Sequence, residues 1–399
     1  MSQSPEKALP LAGIRVVEFV HMVMGPTCGL LLADLGAEVI KVEPVPEGDN
    51  TRRLMGSGAG YWLTYNRNKK SFAVDIKSKE GMAAVKKLIA TADVVTENFR
   101  PGAMEKLGLG YDDVKAIKPD IIYSSMKGFL PGPYEKRTAL DEVVQMMTGL
   151  AYMTGPVGRP LRAGASVNDV MGGMFSAISV LAALLQRKDS GKGQFVQTGL
   201  FENSAFLVAQ HMMQKVVTGA AAAPMPSRIS AWAIYDVFET AEEGQQIFLG
   251  VVSDSQWAAF CKAFDFPDFA NDGSLALNNQ RVQARERIMP IVRERIQAMD
   301  KASVMALCEL AGLPFSPIQR PEDLFDDKHL NESGGLTELT LSNGQITKVP
   351  MLPFEMDGQR FGARLSVPEI GSHSRELLAE LGYESTAIDD LASAGLIQT

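Results

Sequence analysis

The N-terminal third of the chain alternates between two hydrophobic periods, and that alternation narrows the fold more than any other feature. Short apolar, β-branched runs recur at Ile14-Arg15-Val16-Val17-Glu18-Phe19-Val20, Glu38-Val39-Ile40-Lys41-Val42-Glu43, Phe72-Ala73-Val74-Asp75, Val94-Val95-Thr96-Glu97-Asn98 and residues 121–126. Between them lie helical segments: residues 27–35, opened by Gly25-Pro26 and ended by Gly36, and the amphipathic stretch 79–92. β-Branched residues suit a pleated surface, and strands joined through helices run parallel. The expectation is therefore an α/β chain with a large doubly wound, Rossmann-like domain. Such sheets bind ligands beyond the carboxyl ends of their strands, so residues 21–25, 43–53, 98–102 and 127–132 are the ones to inspect.

A chain of 399 residues exceeds one ordinary core. The texture changes at Ala221-Ala222-Ala223-Pro224-Met225-Pro226, which reads as a linker. A hairpin is expected over 235–252, then helices at 255–264, 278–296 and 301–311, strand-like signal over 336–354, and a last helix at 374–381. The division expected is 1–221, a smaller α+β domain over 222–334, and a C-terminal segment 335–399. The net charge of −8 speaks against a nucleic-acid partner. No uncharged apolar stretch reaches membrane-span length, and residues 1–9 lack a signal-peptide core. Cys28, Cys261 and Cys308 show neither metal spacing nor a disulfide framework, which fits a reducing, cytoplasmic setting. His21, His211, His329 and His373 likewise lack metal or triad spacing, so no metal is expected.

One carboxylate stands out. Asp169 lies in Ser166-Val167-Asn168-Asp169-Val170-Met171-Gly172-Gly173, between a Gly- and Pro-rich stretch and an apolar run ending in Gln186-Arg187-Lys188. That pattern reads as a loop entering a buried helix, with Asn168 or Asp169 as N-cap. A carboxylate there is expected to be held as the anion by the helix dipole and free N–H groups. Gly172 and Gly173 are expected to let a large ligand approach the backbone.

Several separate segments together resemble one family. They are Leu11-Ala12-Gly13-Ile14-Arg15-Val16-Val17-Glu18, Gly25-Pro26, Leu35-Gly36-Ala37-Glu38-Val39-Ile40-Lys41-Val42-Glu43, Gly48-Asp49 with Arg52, Asn66-Arg67-Asn68-Lys69-Lys70-Ser71, Glu97-Asn98-Phe99-Arg100-Pro101-Gly102, Lys127-Gly128-Phe129, Asp169, Gly191-Lys192-Gly193-Gln194 and Gly371-Ser372-His373-Ser374. In this order the chain resembles the class III coenzyme A transferases, the group of formyl-CoA transferase, carnitine CoA-transferase and α-methylacyl-CoA racemase, over nearly its whole length. The resemblance implies that the C-terminal segment returns to the large domain and that two chains interlock as a dimer, with a homodimer expected and a heteromer left open.

It also implies the chemistry. Asp169 would attack an acyl-CoA thioester and carry CoA as an aspartyl thioester, a case of nucleophilic carboxylate catalysis. Coenzyme A would be part of a substrate and not a tightly bound cofactor. Val74 and Lys77 would lie near its adenine and 3′-phosphate, and Asn98, Phe99, Arg100, Ala103 and Lys106 along its nucleotide and pantetheine path. Lys127, at the end of the fifth strand, would border the acyl pocket. Val23 replaces a family glutamine, and Leu140 stands where the racemase has a histidine base. Leucine cannot move a proton, so Leu140 favours transfer over racemisation. Asp141 and Glu142 are expected to form an exposed helix start. Residues 226–237 lack the family's polyglycine loop, and Arg228 there is a candidate clamp for a second carboxylate. The reading is a CoA transferase using succinyl-CoA or a similar dicarboxyl-CoA and a carboxylic acid acceptor. Its alternatives are an acyl-CoA racemase or epimerase, and a non-catalytic CoA-binding subunit of a heteromeric transferase.

Overall fold

The computed structural model describes residues 9–228 and 230–399. The N-terminal segment read above for a signal peptide lies outside the described residues except for Leu9. Two compact units are present: residues up to Pro226 together with His329–Thr399, and Ser227–Lys328.

The larger unit is built on strands β1 (Arg15–Phe19), β2 (Glu38–Glu43), β3 (Lys69–Val74), β4 (Val94–Glu97), β5 (Ile122–Lys127) and β6 (Gln194–Gly199). They lie in the order β3-β2-β1-β4-β5-β6, all neighbours parallel, and Ile397–Gln398 adds an antiparallel edge beside β3. The order reverses between β1 and β4, which makes that crevice the place for a ligand. Its helices before Pro226, in chain order, are α1 (Met24–Asp34), α2 (Tyr61–Tyr65), α3 (Lys79–Ala90), α4 (Ala103–Lys106), α5 (Tyr111–Ile117), α6 (Asp141–Thr148), α7 (Leu150–Thr154), α8 (Val167–Ser190) and α9 (Leu200–Thr218).

Period-2 alternation sends Val16 and Val39 to one side of the sheet and Val17, Phe19, Ile40 and Val42 to the other, feeding two separate buried clusters. Leu32 of α1 and Val180 of α8 complete the first, and Val85, Leu88 and Ile89 of α3 the second. Each fully buried aliphatic side chain contributes roughly 1.5–3 kcal/mol.

α8 is longer than the apolar run suggested, and by length and composition it could cross a membrane. Within the larger unit it lies against α1, β5 and β6. Glycines settle that contact. A Cβ on Gly172 would sit 2.6 Å from Met24 Cε, and one on Gly173 2.5 Å from Thr27 Cβ. Gly172 and Gly173 are both buried, so they serve helix packing and not the ligand approach expected from sequence.

The C-terminal segment is tied to this unit by the polar motifs noted above. Asn68 Oδ1 accepts from the amides of Arg364 and Leu365 at 2.6 and 2.8 Å, and Asn68 Nδ2 donates to Gly362 O at 2.9 Å. Gly371 N donates to Ser71 Oγ at 2.7 Å, and Ser71 N donates to His373 Nδ1 at 3.2 Å. His373 is then the N-cap residue of the helix Ser374–Glu380, a structural place.

The smaller unit carries a three-stranded sheet of Tyr235–Glu239, Gln246–Gly250 and Phe315–Pro317. Its helices include Asp254–Ala263, Arg285–Gln297 and Lys301–Leu310, around a core containing Phe238, Trp257, Phe260 and Ile288.

Candidate active site

Ser166 is the N-cap residue of α8, and Asp169 falls inside the first turn. This differs from the expected cap at Asn168 or Asp169. The amides of Asn168 and Asp169 donate to Oδ2 of Asp141 at 2.8 and 3.1 Å. A carboxylate from the start of α6 therefore occupies the helix end, from across the fold. Asp141 is only 6% exposed, so the expected exposed helix start describes Glu142 alone. Gln145, one turn further and buried, donates through Nε2 to Asp141 Oδ1, while its Oε1 accepts from Ala163 N at 2.8 Å. Arg162 Nη1 pairs with Glu142 Oε1 at 3.0 Å, and its Nη2 lies 3.8 Å from Asp141 Oδ1.

These neighbours set the character of Asp169, which is half-buried. Burial and then the charge of Asp141 push its carboxyl up to about 7, against the opposing pull of Arg162. The sequence pointed to a group held firmly as the anion. The helix-end donors that would have done so are taken by Asp141, and a like charge stands beside Asp169 instead. The result is a carboxylate divided between its two forms near neutral pH.

Asp169 lines a cavity of about 520 Å³ in the larger unit. Val23, Asn98, Phe99, Arg100, Lys127 and Leu140 line the same cavity, together with His21, Tyr61, Arg137 and Arg162. It opens at the β1–β4 reversal, as the topology requires. Asn98 stitches that crevice: its Oδ1 accepts from His21 N at 2.9 Å and its Nδ2 donates to His21 O at 2.9 Å. The His21 ring stacks on Phe99 at 5.4 Å, and burial lowers its pKa. Lys127 spends its three ammonium protons on Glu97 Oε1 and Oε2, at 2.6 and 2.7 Å, and on Phe99 O at 2.7 Å. It braces the β4 end and offers no free N–H to a phosphate. Leu140, 66% exposed, forms an apolar part of the wall.

The cavity lining does not include Val74, Lys77, Ala103 or Lys106. Val74 is buried at the end of β3, Lys77 is exposed just beyond it, and Ala103 and Lys106 bound α4. Arg228 belongs to the smaller unit and is exposed. Sequence reasoning missed Tyr61, Tyr65 and Arg162. Tyr61 Oη lies 3.3 Å from Ser166 Oγ. Burial, then Tyr61 and the Asp169 charge, raise the Tyr65 hydroxyl pKa. Nearness in sequence to Asp169 could have flagged Arg162; nothing local marks the two tyrosines. Among the described residues no three His, Cys, Asp or Glu side chains converge as metal ligands.

The family profile described as CoA-transferase family III matches residues 11–374. The chain belongs to CoA-transferase family III. Succinyl-CoA:glutarate CoA-transferase of Mus musculus is 33% identical to it over 396 residues, covering 98% of this chain and 90% of that one. Succinate–glutarate CoA-transferase of Agrobacterium fabrum is 32% identical over 394 residues, covering 96% and 98%. Among solved structures, a CAIB/BAIF family protein from Brucella suis superposes with a TM-score of 0.83 at 30% identity, over 94% of this chain and 100% of that one. This family III CoA-transferase therefore shares its mixed α/β fold with a solved relative over nearly its whole length. CoA thioesters are the substrates of such enzymes.

Proposed function

We propose that the protein transfers CoA from succinyl-CoA, or a similar dicarboxyl-CoA, to a dicarboxylic acid acceptor through an aspartyl-CoA thioester on Asp169. One observation carries this reading: Asp169 presents a carboxyl raised to about 7 inside a cavity at the topological switch point. A more basic carboxylate is a better nucleophile, and at neutral pH enough of it remains ionised to react.

In the proposed cycle an Asp169 oxygen attacks the thioester carbonyl. The C–S bond breaks, CoA leaves as thiolate, and a mixed anhydride forms. The thiolate attacks Asp169 Cγ, expelling succinate and leaving the aspartyl thioester. The acceptor carboxylate attacks Cγ and displaces the thiolate again. Thiolate attack on the acceptor's acyl carbon then forms the new thioester and frees Asp169. No net proton is consumed.

Three arginines, Arg100, Arg137 and Arg162, line the cavity, so a second carboxylate on either acid has cations to meet. The glutarate enzymes among its relatives support a dicarboxylate acceptor. Val74, Lys77, Ala103 and Lys106 are proposed to follow the nucleotide end of CoA, with Asn98, Phe99 and Arg100 nearer the cavity. Arg228 remains a proposed clamp for a second carboxylate. Leu140 disfavours racemisation because no base occupies its place, and an intact Asp169 disfavours a non-catalytic subunit. A homodimer in the cytoplasm is proposed. Supporting the dimer, α8 and α9 expose the large apolar side chains Ile178, Leu185, Phe206, Met212, Val216 and Val217, the kind of surface a partner covers.

The test is to incubate the protein with succinyl-CoA and hydroxylamine and map the product by peptide mass spectrometry. A hydroxamate on Asp169 is expected. Turnover of succinyl-CoA with Asp169 unmodified would overturn the assignment.

A further inference from the structure

The hydrogen bonds around Asp141 hold it in place. Oδ2 receives two backbone N–H groups, from Asn168 and Asp169. Oδ1 receives the Gln145 amide, whose orientation is fixed because its own oxygen must accept from Ala163 N. Every contact is a donor aimed at Asp141, with the Arg162 guanidinium 3.8 Å away. Asp141 therefore serves as an acceptor in each of these contacts. Gln145 and Asp141 are both buried, and the chain Ala163–Gln145–Asp141–Asp169 joins the loop before α8 to its first turn.

We propose that Asp141 is the positioning residue of the transfer reaction: from the start of α6 it occupies the amino terminus of α8, fixing the Asp169 backbone at the cavity while denying that helix end to Asp169's own carboxylate. This rests on the reading of Asp169 as nucleophile. A small shift of a reacting group costs much in rate, and a like charge disfavours ionisation of its neighbour. Asp141 therefore acts on Asp169 through place and through field.

The other charged or titratable groups facing Asp169 are accounted for by element. Tyr61 and Tyr65 come from α2 and Glu142 from α6. Arg162 comes from the loop before α8, and His21 from the end of β1. Lys127, on β5, is engaged by Glu97, and Arg100 and Arg137 stand on loops of the cavity wall. Without the Asp141 charge, burial alone opposes the pull of Arg162 on Asp169.

The experiment mixes the full-length protein with succinyl-CoA from pH 5 to 9, quenches with acid, and counts CoA on the Asp169 peptide. Asp141→Asn is expected to slow adduct formation about tenfold or more at pH 8 and to lower the half-maximal pH by about one unit. Asp141→Glu is expected to return the half-maximal pH toward that of the unmodified protein while remaining slow. Gln145→Met keeps the charge and loosens its hold, so it is expected to lower the rate at an unchanged half-maximal pH; it also serves if Asp141→Asn fails to fold. An adduct in the unmodified protein, with both Asp141→Asn and Gln145→Met showing its rate and pH dependence, overturns the positioning role. No CoA on Asp169 in the unmodified protein overturns the nucleophile itself, and the positioning role with it.

Discussion

Two buried acidic places in the larger unit are built in opposite ways. At the end of β2, Glu43 accepts from Arg52 Nε and Nη2 at 2.9 and 2.6 Å, from Ser71 Oγ at 2.6 Å and from Asp49 N at 2.9 Å. Burial would raise its pKa, but Arg52, with help from Lys41 and Ser71, more than offsets this and lowers it. Beside it, Asp49 lies 2.8 Å from Lys41 Nζ. At the start of α8, Asp169 is half-buried, and the charge that acts most on it is another carboxylate, so its pKa is raised to about 7. Burial alone does not decide the outcome; the partner's sign does. Matched charges hold the β2 end to β3, while the mismatch at α8 costs stability and leaves a reactive group, as active sites often do.

The comparison breaks most sharply by exchange of function. Asp169→Asn is expected to lower CoA transfer by at least about 10³-fold with the fold retained, as for loss of a nucleophile; a succinyl-CoA-dependent transfer assay checks it. Glu43→Ala should do the reverse, destabilising the protein by roughly 3–5 kcal/mol because the largely covered Arg52 guanidinium, the Ser71 hydroxyl and the Asp49 amide all lose their acceptor. Denaturant unfolding measures that loss.

The signs of the pH responses also differ. A raised folded-state pKa means that Asp169 favours folding below its unfolded value, near 4, and that this contribution disappears as pH rises through about 7. Asp169→Asn should therefore stabilise the protein at pH 8, by roughly 1–3 kcal/mol after allowance for partial exposure, and by little at pH 5. Glu43 is lowered, so its contribution is present above the unfolded value and lost as pH falls through its folded one. Thermal unfolding at both pH values separates the two cases. The smallest effect is expected at the cavity rim. Leu140→Ala should change transfer by no more than about threefold, since it trims an exposed apolar wall, and steady-state kinetics with succinyl-CoA measures it.

Much of the fold was legible because β1, β2 and β4 carry β-branched runs at the buried centre of a parallel sheet. β6 was not: Gln194-Phe195-Val196-Gln197-Thr198-Gly199 mixes polar residues into an edge strand and shows little periodic signal. Helix Ser385–Ser393 also escaped, lying past Gly382, where the last helix seemed to end. Asp169 was conspicuous because a Gly-rich loop and an apolar helix flank it in sequence. Its environment was hidden because Asp141 arrives from α6, and helix packing decides that contact. The same holds for Gly172 and Gly173, whose partners Met24 and Thr27 lie on α1.

The central claim is that burial and Asp141 make Asp169 a basic, poised carboxylate. The most direct test is a residue-resolved carbon-13 titration of the Asp169 carboxyl, with Asp169→Asn as the blank. An inflection near pH 7, moved lower in Asp141→Asn, is the result expected here. An inflection near the ordinary aspartate value of about 4, unchanged by Asp141→Asn, would contradict it.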